Sequence, residues 1–190
     1  FESDGFIPEP LVQFNPAYKT AESLNELANR NKVHKHLPAT IGNYSLYEHQ
    51  VEALVKGIDN KGFVVTSGTG SGKSLTYLSA IFNSIFNDGD RKKKGIKAIL
   101  VYPMNALINS QEEEIRKFAA NYTKSIGKPF PITFAKYTGQ EGSENREKTK
   151  IEEPDIILTN YMMLELIMTR ATEAWMRTSI QDNLQFLVFD

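Results

Sequence analysis

The sequence predicts an α/β domain with a largely parallel sheet of about five or more strands and helices on both faces. Two observations carry that expectation. Short β-rich apolar runs alternate with longer stretches of helical period, which is the pattern of βαβ units. A glycine-rich segment, TSGTGSGKS over residues 66–74, falls between the first such run and the first such helix. The runs are FVVTS (63–67), IKAILVY (96–102), ITFAKYT (132–138), DIILT (155–159) and QFLVF (185–189). With 190 residues, 41% hydrophobic and 24% charged, the chain can bury a core without metals or disulfides.

Ahead of the first run, Pro8, Pro10, Pro16 and Pro38 interrupt the chain, and helical spacing starts only with Ala21, Leu24, Leu27 and Ala28. Residues 1–46 therefore read as an extended arm with one short helix. From Tyr47 to Ile58 the positions Val51, Leu54, Val55 and Ile58 step by three and four. They predict an amphipathic helix closed by the turn cluster Asp59-Asn60-Lys61-Gly62, with the main domain over 47–190. In the stretch 72–87, Leu75, Leu78, Ile81, Phe82, Ile85 and Phe86 share one helical face; in 105–122, Leu107, Ile108, Ile115, Phe118, Ala119 and Tyr122 do the same. Residues 88–95 and 139–150 are polar and read as loops or solvated helix ends.

Charge and composition narrow the function classes. The 22 basic and 23 acidic residues leave a formal net charge of -1, so a nucleic-acid contact has to be local. The absence of cysteine excludes a disulfide scaffold, a Cys-ligated zinc or iron–sulfur site and a thiol nucleophile. His34, His36 and His49 form no metal-ligand pattern. No apolar run approaches the ~20 residues that cross a bilayer, and FESDGFIPEP has no signal-peptide regions. No membrane partner and a cytoplasmic location are the expectation.

The chemistry lies in TSGTGSGKS. Gly68, Gly70 and Gly72 allow turns in which successive backbone N–H groups face inward, towards an anion. The helix starting near Gly72 adds its partial positive end. The spacing is that of a P-loop: the backbone of Thr69, Gly70, Ser71 and Gly72 wraps phosphates, Lys73 reaches the β and γ phosphates, and the Ser74 hydroxyl ligates Mg2+. The strict pattern has glycine at position 67, where this chain has Ser67. The alternative is a plain strand-to-helix turn with an incidental Lys-Ser pair.

Behind the P-loop come YPMNALINSQ (102–111), YTGQ (137–140), LTNYMML (158–164) and LVFD (187–190). In this order the segments resemble motifs I, Ia, the GG-type turn, Ib and the start of II of the superfamily 2 DEAD/DEAH-box helicases. YEHQ (47–50) resembles the Q-motif in the L-Y-x-H-Q form of RecQ-related bacterial DNA helicases. The resemblance implies a RecA-like P-loop domain, the first of two, that binds ATP and Mg2+ and holds a nucleic-acid strand, DNA in preference to RNA. It implies that Gln50 reads the adenine edge, for which an amide is a bidentate complement. Tyr47, or else Tyr44, would stack on the base; a polar residue on the outer helix face and a packing tyrosine are the alternatives. Pro103, Asn105, Ala106, Gly139, Thr159 and Asn160 would meet the strand at the carboxyl ends of the sheet. Asn105 stands where the family has a basic residue, and both asparagines also suit helix N-capping. Asp190 would hold Mg2+ opposite Ser74, which makes Lys73 and Asp190 the catalytic pair.

Starting at Phe1 and stopping at Asp190, ahead of the glutamate expected next, the chain reads as a piece of a longer parent. ATP hydrolysis and helicase or translocase activity would belong to that parent, with a second RecA-like domain as partner and little turnover by the piece alone. Two other readings stand beside this one: a different P-loop NTPase, and a degenerate RecA-like module kept for binding. The run Arg91-Lys92-Lys93-Lys94 reads as a solvated loop, and Trp175 as packing.

Overall fold

The structure, a computed structural model, describes residues 18–68, 70–89 and 93–190; Pro8, Pro10, Pro16, Thr69, Arg91 and Lys92, all named above, lie outside the described residues. Its centre is β3 (Ala98–Tyr102, AILVY), which is apolar along its whole length because both of its faces are covered. β3 pairs in parallel with β5 (Ile156–Asn160) on one side and with β6 (Phe186–Phe189) on the other; β4 (Phe134–Lys136) adds to β5, giving the order β4-β5-β3-β6. Ala98, Leu100 and Tyr102 face a core shared with α3 (Glu48–Ile58), α4 (Lys73–Asp88) and α5 (Asn105–Ile126). Ile99, Val101 and Ile157 face the opposite way, against α7 (Tyr161–Thr169) and α8 (Ala174–Asn183). Period-two alternation along one strand thus builds both layers, and the expected α/β class with helices on both faces is what forms.

The predicted first strand does not form. Residues 63–67 run beside β6 and keep a strand's alternation of half-buried and exposed side chains, but they enter neither sheet of the described residues. The parallel sheet therefore has four strands in place of five or more. The physical reason is visible at Val64, 89% exposed: one face of this segment has nothing to pack on. A cavity of about 430 Å3 opens where it would meet Phe186–Phe189.

The arm departs from expectation in the other direction. Thr20–Ser23 is a strand, β1, antiparallel to β2 (Ser45–Tyr47), and α1 (Leu24–Asn29) starts only after it. Ser23 sets that boundary through a capping box, its hydroxyl accepting from Glu26 N at 3.3 Å while its own N donates to Glu26 Oε2 at 2.7 Å. α2 (Leu37–Ile41) was not anticipated, nor were α7 and α8; part of the polar stretch 139–150 becomes α6 (Ser143–Glu152). Leu24, Leu27, Leu37 and Ile41 join the core under α4 and α5, so the arm is packed against the sheet layers.

Two polar features lie away from the glycine loop, one buried and one half-buried. At the amino ends of β3 and β5, Lys97 donates to Asp155 Oδ1 at 3.0 Å, both side chains 3% exposed. Asp155 Oδ2 accepts from Thr133 N and Oγ1, and Lys97 also donates to Lys93 O at 2.7 Å. Taking away one partner of such a pair strands a charge. Lys97→Met is therefore expected to cost about 3 kcal/mol in chemical denaturation; a loss below about 1 kcal/mol would show that the pair is not holding the strand ends together.

His34 stacks on Phe86 and meets His36 edge-on, while His36 meets Tyr122. Burial lowers the pKa of both imidazoles, helped at His34 by His36 and Lys35 and at His36 by Lys35 and Lys128. The folded state thus favours the neutral rings, and the unfolded chain binds more protons as acid is added. Stability is expected to be full above about pH 6.5, the ordinary histidine value, and to fall below it. Melting temperature against pH checks this, and the acid-side fall should shrink in a His34→Gln/His36→Gln variant; an unchanged fall would assign it to other groups.

Candidate functional site

α4 begins at Gly72, whose φ of 70° and ψ of 41° are left-handed; Gly70, with φ 78°, is left-handed too. Here glycine is required. A Cβ on Gly72 would also stand 2.5 Å from Gln50 Nε2. Gln50 is buried beneath the loop: its Nε2 donates to Ser71 O at 3.3 Å and Gly72 O at 3.2 Å, and its Oε1 accepts from Tyr47 N at 2.9 Å. The amide that the sequence offers to adenine thus links the start of α3 to the glycine loop. Tyr47 stacks on His49 with centroids 5.7 Å apart and lies 5.2 Å from Tyr18, forming an aromatic group beside the loop. Tyr44 instead packs over Gly42.

Within the loop, Ser67 Oγ and Ser71 Oγ are 2.6 Å apart, so the residue replacing the usual glycine ties the two ends of the turn together. Lys73 Nζ folds back to donate to Ser67 O at 2.9 Å and lies 3.5 Å from Gly68 O. A phosphate entering the loop would exchange those carbonyls for stronger, charge-assisted acceptors. Asp190 stands at the end of β6, where its N donates to Val101 O at 3.0 Å. Asp190 and Lys73 line the same cavity.

Sequence reasoning missed the groups between these two. Tyr77, three residues after Ser74 and on the same helix face, donates its hydroxyl to Asp190 Oδ2 at 3.0 Å and lies 3.2 Å from the Tyr102 hydroxyl. Gln111 Oε1 is 3.4 Å away. Burial raises the Tyr77 and Tyr102 pKa values far above the ordinary tyrosine range, so both hydroxyls keep their protons. Burial also raises the pKa of the Glu114 carboxyl. The i, i+3 spacing from Ser74 was the one signal in the sequence that pointed to Tyr77.

The other residues gather at the carboxyl ends of β3 and β5. These neighbouring strands send their helices, α5 and α7, to opposite faces, which opens a crevice. Across it Asn160 Nδ2 donates to Asn105 Oδ1 at 2.8 Å, while Asn160 Oδ1 caps α7 by accepting from Met163 N at 2.8 Å. Asn105 is the first residue of α5, and the cap position falls on Met104. Pro103, Ala106 and Gly139 are exposed near these strand ends. Thr159 is fully buried, its hydroxyl donating to Tyr137 O at 2.7 Å. Trp175 packs edge-on against Tyr137.

A Mg2+ ion fits the donor set on one condition. Among the described residues no group of three or more His, Cys, Asp or Glu could hold a metal. Ser74 and Asp190 supply one hydroxyl and one carboxylate, a set that suits Mg2+ when phosphate oxygens and water complete the octahedron.

A glycine loop capped by a lysine-bearing helix, beside a parallel sheet that ends in an aspartate, defines a P-loop domain of the RecA-like kind. Residues 47–190 match the DEAD/DEAH box helicase family, and the chain belongs to it. It is 31% identical over 160 residues to the Druantia protein DruE of Escherichia coli, covering 76% of this chain and 9% of that protein. It is 30% identical over 178 residues to the uncharacterized ATP-dependent helicase MJ1574 of Methanocaldococcus jannaschii, covering 91% of this chain and 24% of the relative. Among solved structures, the DUF1998 helicase MrfA bound to DNA and AMPPNP superposes with a TM-score of 0.74 at 24% identity, over 92% of this chain and 22% of MrfA. The chain thus spans a quarter or less of these relatives.

The loop geometry is open to a direct check. Gly72→Ala is expected to cost about 1–3 kcal/mol in chemical denaturation, from the left-handed backbone and the contact with Gln50. Gly62→Ala, whose Cβ would meet nothing within 4 Å, is the control. Equal effects would mean that the loop is not held in this conformation.

Proposed function

We propose that this chain is the ATP-binding motor domain of an ATP-dependent helicase or translocase that acts on nucleic acid, DNA in preference to RNA. The observation that carries the reading is that Lys73 of the glycine loop and Asp190 of β6 share one cavity, while the Asn105–Asn160 pair sits at the carboxyl end of the same strand β3. A nucleotide site and a strand-holding crevice then lie side by side at one edge of the sheet, on either side of β3.

In this reading the loop backbone from Thr69 to Gly72 and the amino end of α4 receive the phosphates. Lys73 gives up its carbonyls for them, and Ser74 and Asp190 hold Mg2+. The bound Mg2+ would supply charge neutralisation at the transferred phosphoryl group. Tyr47, with His49 and Tyr18, offers an aromatic surface to the base, and Gln50 keeps the loop in register with α3. Asn105, Asn160 and the exposed turns at Pro103, Ala106 and Gly139 meet the sugar-phosphate backbone by neutral hydrogen bonds, in keeping with the near-zero net charge. A second RecA-like domain of a longer parent would close over the nucleotide. DNA is favoured by the L-Y-E-H-Q form at 46–50 and by the DNA-bound state of MrfA.

The test is binding of a nonhydrolysable ATP analogue with Mg2+, followed by single-stranded DNA and RNA of equal length. Lys73→Ala is expected to weaken analogue binding at least tenfold, about 1.4 kcal/mol, and the oligonucleotide that binds tighter with the analogue present identifies the track. Analogue binding that is indifferent to Lys73 would remove the nucleotide reading. Binding that depends on Lys73 but is unaffected by both oligonucleotides would point to a different P-loop NTPase.

A further inference from the structure

We propose that Tyr77 is the positioning residue of the metal site, its hydroxyl holding the carboxylate of Asp190 in one geometry and tying it to β3. This rests on the nucleotide reading above and goes beyond it, because neither the glycine-loop pattern nor the aspartate at the strand end requires a tyrosine at this place.

The argument starts from the helix. A long side chain on a helix lies back over the preceding turn, so the ring of Tyr77 covers the first turn of α4, where Lys73 and Ser74 sit. The hydroxyl emerges beyond the ring, at the end of β6, and reaches Asp190 Oδ2 at 3.0 Å. A tyrosine hydroxyl has one proton and two acceptor positions. With the proton on the carboxylate, the Tyr102 hydroxyl at 3.2 Å becomes the donor to Tyr77. Tyr102 is the last residue of β3 and fully buried, so it cannot turn away. Gln111 Oε1, 3.4 Å from the same hydroxyl, is the competing acceptor for its one proton, and the shorter contact to Asp190 takes it. Three elements therefore converge on one oxygen: α4, β3 and the end of β6.

Asp190 needs such a restraint. Its backbone is fixed by the hydrogen bond to Val101, but that bond leaves the side-chain torsions to be set by other contacts. Among the described residues the Asp190 carboxylate accepts from Tyr77. Outer partners of this kind orient the groups that touch a metal, and losing one typically weakens metal binding by about tenfold or more.

The experiment measures affinity for a nonhydrolysable ATP analogue in two arms, one with saturating Mg2+ and one with EDTA, for the unsubstituted chain, Tyr77→Phe and Tyr102→Phe. Tyr77→Phe keeps the ring and removes only the hydroxyl. It is expected to leave the EDTA arm within about twofold of the unsubstituted chain and to weaken the Mg2+ arm about tenfold, and Tyr102→Phe should give a smaller loss confined to the Mg2+ arm. A residue that merely packs would move both arms together or neither, and either result would overturn the proposal. If Tyr77→Phe fails to fold, Tyr102→Phe decides it, since a Mg2+ arm unchanged there removes the tether. An unsubstituted chain that binds the analogue in neither arm would bring down the nucleotide reading and this proposal with it; normal binding by that chain with no selective loss in either variant would bring down this proposal alone.

Discussion

The in-register parallel pairing of β3 with β5 and β6 governs everything else in this molecule. It sets Tyr102 beside Asn160 and Val101 beside Phe189, so the carboxyl ends of the three strands stop on one level and deliver their following residues to one edge of the sheet. Slipping β3 by one residue would turn Leu100 and Tyr102 towards α7 and α8, and Ile99 and Val101 towards α4 and α5. Because both layers are apolar, such a slip is resisted less by polarity than by size: Tyr102 has room, and a hydroxyl partner, on one side only. At the opposite end the Lys97–Asp155 pair sits where β3 and β5 begin, and its fixed partners distinguish one register from its neighbours.

The second constraint is the close approach of α3 and α4. A Cβ on Gly57 would lie 2.6 Å from Ala80 Cβ, so these helices meet almost backbone to backbone. That approach carries the start of α3 under the glycine loop, and it explains why Gln50 and His49 both reach Ser71 O. The arm strengthens the arrangement through β2, which runs directly into α3 at Tyr47. The loop is therefore held from below by one helix and from behind by another, with Lys73 closing it from above.

Most of this was legible in the sequence where period and composition agree. The apolar runs at 96–102, 155–159 and 185–189 became β3, β5 and β6, and the helices at 48–58, 73–88 and 105–126 followed from their three-and-four spacing. The segment 63–67 misled because its alternation is a strand's, whereas pairing depends on what lies on either side of it. Helical spacing from Ala21 runs past the true start of α1 because the capping box of Ser23 and Glu26, and not the apolar period, sets that boundary. The site was legible as far as it consists of a contiguous motif, from Gly68 to Ser74. Tyr77, Tyr102, Gln111 and Glu114 escaped because each lies on a different element or turn, and only the packed fold brings their polar ends together. Thr159 shows the converse, since a motif names the residue but cannot say that its hydroxyl is spent inside the sheet.

The unpaired side of β6 has a consequence for how the chain behaves among its own copies. Phe186–Phe189 presents a run of main-chain donors and acceptors next to the gap, and Leu187 and Phe189 show about half of their surface to water. The strand carries no lysine, proline or inward charge of the kind that natural edges use to repel a newcomer. This margin, beside the cavity that holds Lys73 and Asp190, is thus the part of the surface most receptive to an added strand. Crowding, ahead of heat or acid, is the condition that puts the dispersed chain under strain, and whatever covers this margin acts as a solubiliser as well as a neighbour.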